Sequence, residues 1–259
     1  MKQHFRGIGE PFITLSAVDS TNNYAMARIG EGPVEEGTTW FAWQQTSGKG
    51  QRGKSWQSEP GENVMLSVVL KPLMLKPSDQ FMLSAMVALS VLDLIRNHTS
   101  QTSKIKWSND LYIGDKKAAG ILIENVIRGN DWHYAIVGIG LNVNQVRFPE
   151  NVPNPVSLTQ VTGTRYDVLE VAKELCGFLA QRYKELSPAH FSSLLSEYAA
   201  SLYHLGEEQL FEASHGIFKA RIGGVEKDGK LRLKKDGQWS AVDFGEVSFL
   251  IGDPPGKAT

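Results

Sequence analysis

Val64, Leu66, Val68 and Leu70 alternate with other residues up to Pro72, the period of two that gives a strand one inner face. Residues 40–45 read as a buried strand. From Ser78 to about residue 98 the chain is apolar nearly all round, which predicts a central, covered helix capped by Ser78. Upstream, Ser20-Thr21 precede a short amphipathic helix carrying Tyr24, Ala27 and Ile29 and stopped by Gly30. Downstream, strand-like runs cover 104–107, 118–127 and 133–143, and the break at Gly129-Asn130-Asp131 makes the last two a hairpin. Asp167 with Glu170 has the form of a capping box opening a helix to about residue 185, and Pro188 opens another to about residue 202. After Gly206-Glu207-Glu208 short strands take over, with Asp228-Gly229 and Asp236-Gly237 turns, the signature of a small β-barrel ending near residue 252. The expected architecture is α+β: a mixed sheet flanked by helices over residues 1–208, and a β module over 209–259.

Composition narrows the function only a little. With 259 residues, 41% of them hydrophobic, a buried core is assured, and a net charge of -1 gives no overall field favouring nucleic acid. The single cysteine, Cys176, forms no internal disulfide and reads as a small core residue. The amino terminus has no apolar signal core and no run approaches the ~18 apolar residues of a membrane span, so a cytoplasmic protein without a membrane partner is expected.

Four segments carry more chemistry than a scaffold needs. The loop Gln45-Thr46-Ser47-Gly48-Lys49-Gly50-Gln51-Arg52-Gly53-Lys54-Ser55-Trp56 holds three glycines and three cations between two strands. Glycine lets backbone N–H groups approach an anion, and lysine or arginine supplies charge-assisted bonds to phosphate. Its spacing is neither a Walker loop nor a dinucleotide fingerprint, and a solvated turn has the same composition. The second and third segments, Lys106-Trp107-Ser108-Asn109-Asp110-Leu111-Tyr112 and residues 116–124, read as strand, polar turn, short strand, turn, strand. Lys117 enters a strand beside Ala118-Ala119-Gly120, where small residues leave room for a ligand, and a lysine there suits a carboxylate and its attached phosphate. Asp115, Lys116 and Lys117 also suit a soluble hairpin tip, a reading that fits Lys117 less well because an apolar strand begins right after it. In the fourth, Gly138-Ile139-Gly140-Leu141-Asn142-Val143-Asn144, alternate glycines bare one strand face for a ligand or a close helix, and Asn142 offers amide groups at the strand end.

In this order the segments resemble biotin protein ligases. The family pattern has Ser-Thr-Asn, here Ser20-Thr21-Asn22, and a Gln-Thr-x-Gly-Arg-Gly-x-x-Gly loop with a downstream tryptophan, here residues 45–56. It continues with Lys-Trp-Pro-Asn-Asp-Leu at 106–111, Lys-x-Ala-Gly-Ile-Leu-x-Glu at 117–124 and Gly-x-Gly-x-Asn-x-Asn at 138–144. The likeness spans about residues 19 to 144; it implies a class II synthetase-like catalytic domain, and the carboxy-terminal module looks like the family's small SH3-like domain. Two departures stand out. Lys49 replaces the usual arginine and loses its bidentate fork, and Ser108 replaces the usual proline and its rigid turn. Larger family members carry an amino-terminal helix-turn-helix; a Ser-Thr-Asn motif at residue 20 leaves no room for one, so the resemblance is to the ligase-only class.

The resemblance implies activation of biotin by ATP, with Mg2+, to biotinyl-5′-AMP, and transfer to a lysine of a biotin carboxyl carrier protein domain. It places biotin against Ser20, Thr21, Asn22, Gln45, Gly48, Lys49, Gly50, Gln51, Lys117 and Gly120, with Ser20, Thr21 and Gln45 at the ureido group. It places nucleotide against Lys49, Arg52, Trp56, Asn109, Lys117 and Asn142. Lys117, Lys49, Arg52 and Asp110 are the expected catalytic groups: the cations meet carboxylate and phosphate, and Asp110 helps take the proton of the incoming lysine or, like Asn109 and Asn142, contacts metal or nucleotide. No protein-held metal site and no nucleic-acid partner are expected, and the chain is a monomer or weak homodimer. Two rival readings are a lipoate or octanoyl enzyme, which the 106–111 motif and the loop disfavour, and a silent biotin- or nucleotide-binding regulator, which the retained cations disfavour.

Overall fold

The structure, a computed structural model, describes residues 7–129 and 131–250. The first six residues, the turn residue Asn130 and the end of the β module past residue 250 lie outside the described residues.

Seven strands form one sheet: β1 (Phe12–Leu15), β2 (Thr39–Ala42), β3 (Asn63–Leu70), β4 (Ser103–Lys106), β5 (Asp110–Ile113), β6 (Lys116–Arg128) and β7 (Asp131–Asn142). Their order is β1-β2-β3-β7-β6-β5-β4, with β1 parallel to β2 and the other pairs antiparallel, so the mixed sheet is as expected. Helices α1 (Thr21–Glu31), α2 (Gln80–His98), α3 (Leu158–Thr162), α4 (Val168–Glu185) and α5 (Phe191–Ala200) accompany it.

Alternation decides what each face does. Val64, Leu66, Val68 and Leu70 of β3 join Ala135, Val137, Ile139 and Leu141 of β7 in one core with α2 and α4. Each fully buried aliphatic side chain contributes ~1.5–3 kcal/mol. α2 is long and apolar enough to cross a membrane, but most of it is buried here, as the all-round apolar pattern predicts for a core helix. Arg182 of α4 ties the helical layer together, 2.5 Å from Asp93 of α2 and 2.6 Å from Glu197 of α5. On the opposite face α1 covers one end only, through Ala25 against Trp40, Val69 and Ile136. The uncovered remainder forms a cavity.

Several element boundaries differ from the sequence reading. Gly30 lies inside α1, which runs to Glu31 with Gly32 as its C-cap; a helix tolerates glycine at a cost of ~1 kcal/mol, whereas Pro33 cannot continue it. Ser78 does not cap α2; it sits in a 3-10 turn, Pro77–Asp79, and Asp79 is the N-cap residue. Pro188–His190 is a second such turn before α5. Asp167 does cap α4, accepting from Leu169 N and Glu170 N, but Glu170 pairs with Lys173.

β8 (Glu208–Ala213), β9 (Gly216–Val225), β10 (Leu231–Lys235), β11 (Gln238–Val242) and β12 (Val247–Phe249) form a second, antiparallel sheet of order β11-β10-β9-β8-β12. Among the described residues it is open rather than the expected closed barrel: three-residue β12 pairs only with β8, and β11 is largely exposed. This sheet reaches the first through Trp107 Nε1, which donates to Gly229 O at 2.8 Å.

Candidate active site

The open face of the first sheet lines a cavity of about 750 Å³. At its α1 end, hydroxyls and amides converge. Ser67 interrupts the apolar residues of β3 that follow Asn63 and points to this face; its Oγ lies 2.8 Å from Thr21 Oγ1 and 2.6 Å from Asn22 Oδ1. Gln45 Oε1 accepts from Thr21 N at 2.7 Å, so a side chain far along the sequence satisfies the first donor of α1. Asn22 Nδ2 donates to Glu124 Oε2 at 2.7 Å, and Lys49 Nζ meets Glu124 Oε1 at 3.2 Å. Ser20 lines the same end but makes no side-chain cap bond.

The alternate glycines bare the middle of the face, as their spacing predicts. A β-carbon at Gly138 would collide with the Asn22 amide, and one at Gly140 with the Trp56 indole. Trp56 also lies 3.4 Å from the β-carbon position of Gly120. Trp56 Nε1 and Gln51 Oε1 are buried without a hydrogen-bond partner among the described residues. Each unmade bond costs ~1–3 kcal/mol, which a bound polar ligand removes.

The far end is cationic. Strand pairing aligns Lys106, Asp110, Gly120, Gly140 and Met65 in one row across β4, β5, β6, β7 and β3. Lys117, paired with Tyr112, joins the same face because the β5–β6 register shifts between Leu111 and Tyr112. The shift sends both Ala118 and Ala119 into the core and returns Lys117 to the cavity face. The small residues thus do not jointly form a slot; Gly120 alone faces the cavity. Lys117 Nζ lies 2.7 Å from Asp110 Oδ1 and 6.0 Å from the Trp56 ring centre.

The glycine-rich loop closes over this face. Gly48 packs so tightly on Gln45 and the Trp56 carbonyl that a β-carbon there would collide with both, while Gly50 N donates to Lys54 O at 2.7 Å. Arg52 has φ 56°, and its guanidinium sits 5.9 Å from the Phe244 ring centre and against Gly245 of the second sheet's β11–β12 turn. Asn109 and Asn142 are committed to backbone: Asn109 Nδ2 donates to Ile121 O at 2.7 Å, and Asn142 Nδ2 to Val156 O at 3.1 Å and Lys117 O at 3.3 Å. They brace the strands that carry the site. Where the family pattern has proline, the Trp107–Ser108 peptide is cis, and Tyr198 Oη donates to Ser108 O at 2.7 Å. Among the described residues no three His, Cys, Asp or Glu are grouped to hold a metal.

A family model described as the biotin/lipoate A/B protein ligase family matches residues 15–142. The bifunctional ligase/repressor BirA of Salmonella typhimurium is 30% identical over 244 residues, 91% of this chain and 73% of that protein. The chain belongs to the biotin/lipoate A/B protein ligase family. The biotin--[acetyl-CoA-carboxylase] ligase of Mycobacterium tuberculosis is 29% identical over 96% of this chain and 94% of that one. A biotin protein ligase from Aquifex aeolicus, solved in complex with biotin and ATP, has a TM-score of 0.78 at 28% identity, covering 93% of this chain and 98% of that chain.

In this ligase-family fold the five motif segments meet at one cavity, although more than a hundred residues separate the first from the last. The sequence reading did not select Ser67, Glu124, Lys106, Phe244 or Gly245. A lone serine in the apolar run 64–70 was a legible signal for Ser67, and Glu124 closes a quoted motif. Nothing local marks Phe244 and Gly245, which arrive from the other sheet.

Proposed function

We propose that this family member is a biotin protein ligase: it joins biotin to ATP as biotinyl-5′-AMP and passes the biotinyl group to a lysine of a biotin carboxyl carrier protein domain. The polarity of the cavity carries this reading. Thr21, Asn22 and Gln45, backed by the buried Ser67 hydroxyl, form a hydroxyl and amide end, and Lys54, Lys106 and Lys117 a cationic end. Biotin has a polar urea at one end and a carboxylate at the other, with an apolar body between. Lipoate has a dithiolane where biotin has the urea, and would leave the polar end without ligand partners.

In the first step a biotin carboxylate oxygen bonds to the α-phosphorus, the bridging P–O bond breaks, and pyrophosphate leaves with the electron pair. Two anions must meet, so neutralisation and alignment dominate. Lys117 takes the carboxylate and α-phosphate; Lys49 and Arg52 bring loop charge to the phosphates; Trp56, over Gly120 and Gly140, walls off water. Ser20, with Thr21, Asn22 and Gln45, faces the urea, and Gly48, Gly50 and Gln51 cover the tail. In the second step the carrier amine bonds to the acyl carbon, AMP departs, and Asp110, released from Lys117, accepts the amine proton. Asn109 and Asn142 face the nucleotide from the braced strands. Magnesium enters with the triphosphate as part of the substrate rather than in a protein-built metal site.

Residues 209–259 are read as an SH3-like module whose Phe244-Gly245 turn supports the loop. A cytoplasmic monomer or weak homodimer, with no nucleic-acid partner, completes the proposal. Biotin-dependent exchange of labelled pyrophosphate into ATP tests it. No exchange with biotin, or equal exchange with lipoate, would sink the reading.

A further inference from the structure

Beyond belonging to the cationic end, Lys106 takes part in neither step of the reaction above, yet it is built into the cavity wall. It ends β4 on the cavity face, opposite Asp110 in the ladder. Its ammonium is 5.4 Å from the Tyr112 ring centre and 5.3 Å from that of Phe249, so one wall of its seat comes from each sheet. Two aromatic faces favour a cation and fix its place, but they do not neutralise it. Asp110, the carboxylate across the ladder, is already paired with Lys117.

The electrostatics call for an anion. Burial pulls the Lys106 pKa down, and Lys117 and Lys54 pull it further down against the opposing pull of Asp110. Lys106 and Lys117 thus share one carboxylate, and exposed Lys54 adds further positive charge nearby. A multiply charged phosphate entering there reverses the imbalance, and charge-assisted bonds to it are about twice as strong as neutral ones.

Position selects which phosphate. Across the sheet the order is β3, β7, β6, β5, β4: Ser67 lies on β3, Lys117 on β6 and Lys106 on the outermost strand. A ligand with its urea at Thr21, Asn22 and Gln45, which Ser67 backs from β3, and its carboxylate at Lys117 points its leaving group toward β4. The two strand intervals from β6 to β4 amount to roughly 10 Å of backbone, a gap that two long lysine side chains narrow.

We propose that Lys106 contacts the β- and γ-phosphates of ATP and stabilises the departing pyrophosphate, seated between Tyr112 and Phe249. The inference rests on the ligase reading. As the Pα–O bond breaks, charge accumulates on pyrophosphate, and Lys106 neutralises it without giving up a proton. Once pyrophosphate has left, Lys106 has no part in acyl transfer.

The test uses the full chain and the variants Lys106→Met and Lys106→Arg. Lys106→Met is expected to raise KM for ATP and for pyrophosphate about tenfold or more and to slow exchange comparably, while biotin affinity by calorimetry stays within about twofold. Given pre-formed biotinyl-5′-AMP, the same variant is expected to biotinylate the carrier at close to the unmodified rate, and Lys106→Arg to recover most exchange. Unchanged KM for pyrophosphate in a folded Lys106→Met protein overturns the proposal. So does a loss of transfer from supplied adenylate as deep as the loss of exchange, which moves Lys106 to the second step. Lys106→Gln serves if the methionine variant folds poorly by circular dichroism. Absence of biotin-dependent exchange in the unmodified protein is a different result, and it removes the ligase reading instead.

Discussion

Lys117 Nζ stands 2.7 Å from Asp110 Oδ1, and the irregular β5–β6 register delivers the lysine to that face. Both side chains are under a third exposed, so the contact is screened less than a surface pair but is far from dry. The contact with Asp110 aims the lysine along the cavity face. A substrate carboxylate or phosphate competes for the same ammonium.

Lys117→Ala is expected to cut biotin-dependent adenylation by about a hundredfold or more, equivalent to about 2.7 kcal/mol of transition-state stabilisation. The fold should survive, because the side chain lines a cavity and packs into no core. Asp110→Asn should spare adenylation more than transfer of biotin from supplied biotinyl-5′-AMP to the carrier. Near-normal pyrophosphate exchange in folded Lys117→Ala, or equal losses in both half-reactions of Asp110→Asn, would count against these roles.

Gly140→Ala places a methyl where the Trp56 indole lies. The ring must leave, at an overpacking cost of about 1–3 kcal/mol, or the loop must shift with it. Tryptophan near-ultraviolet circular dichroism should change and KM for biotin or ATP should rise severalfold. An unchanged spectrum with unchanged kinetics would show that the indole does not need the bare backbone.

The cations of the loop are exposed at Lys49, Arg52 and Lys54, so trypsin reaches them in the free enzyme. Bound biotinyl-5′-AMP supplies phosphate partners and should slow cleavage there about tenfold, as ordering by ligand contacts offsets loop entropy of ~1–2 kcal/mol per residue. Equal cleavage with and without ligand argues that the loop does not close.

Cys176 is buried, and burial pushes its thiol up to about 11. A raised thiol pKa keeps the group protonated through neutral pH, leaving on the order of one thiolate in a thousand at pH 8. The native protein should therefore resist thiol-specific alkylation at pH 8 and react on unfolding. Stoichiometric native labelling within minutes would contradict the packing of α4 on β2.

Local pattern determined much of this protein. Val64, Leu66, Val68 and Leu70 announced an inner face because alternation is a property of one strand's own backbone, and the apolar wrap of residues 80–98 announced a core helix for the same kind of reason. The alternate glycines at 138 and 140 announced a bared face, though they could not name Asn22 and Trp56 as the side chains packed on it. Tertiary structure decided the rest. The course of Lys117 into the cavity depends on a register shift against β5, and a register belongs to two strands at once. Ser67 and Gln45 became one polar cluster only when β3 and the glycine-rich loop met the start of α1. Phe244, Gly245 and Phe249 came to Arg52 and Lys106 from a second sheet more than a hundred residues away. Such contacts rest on packing between surfaces distant in the chain, and no periodicity within either segment encodes them.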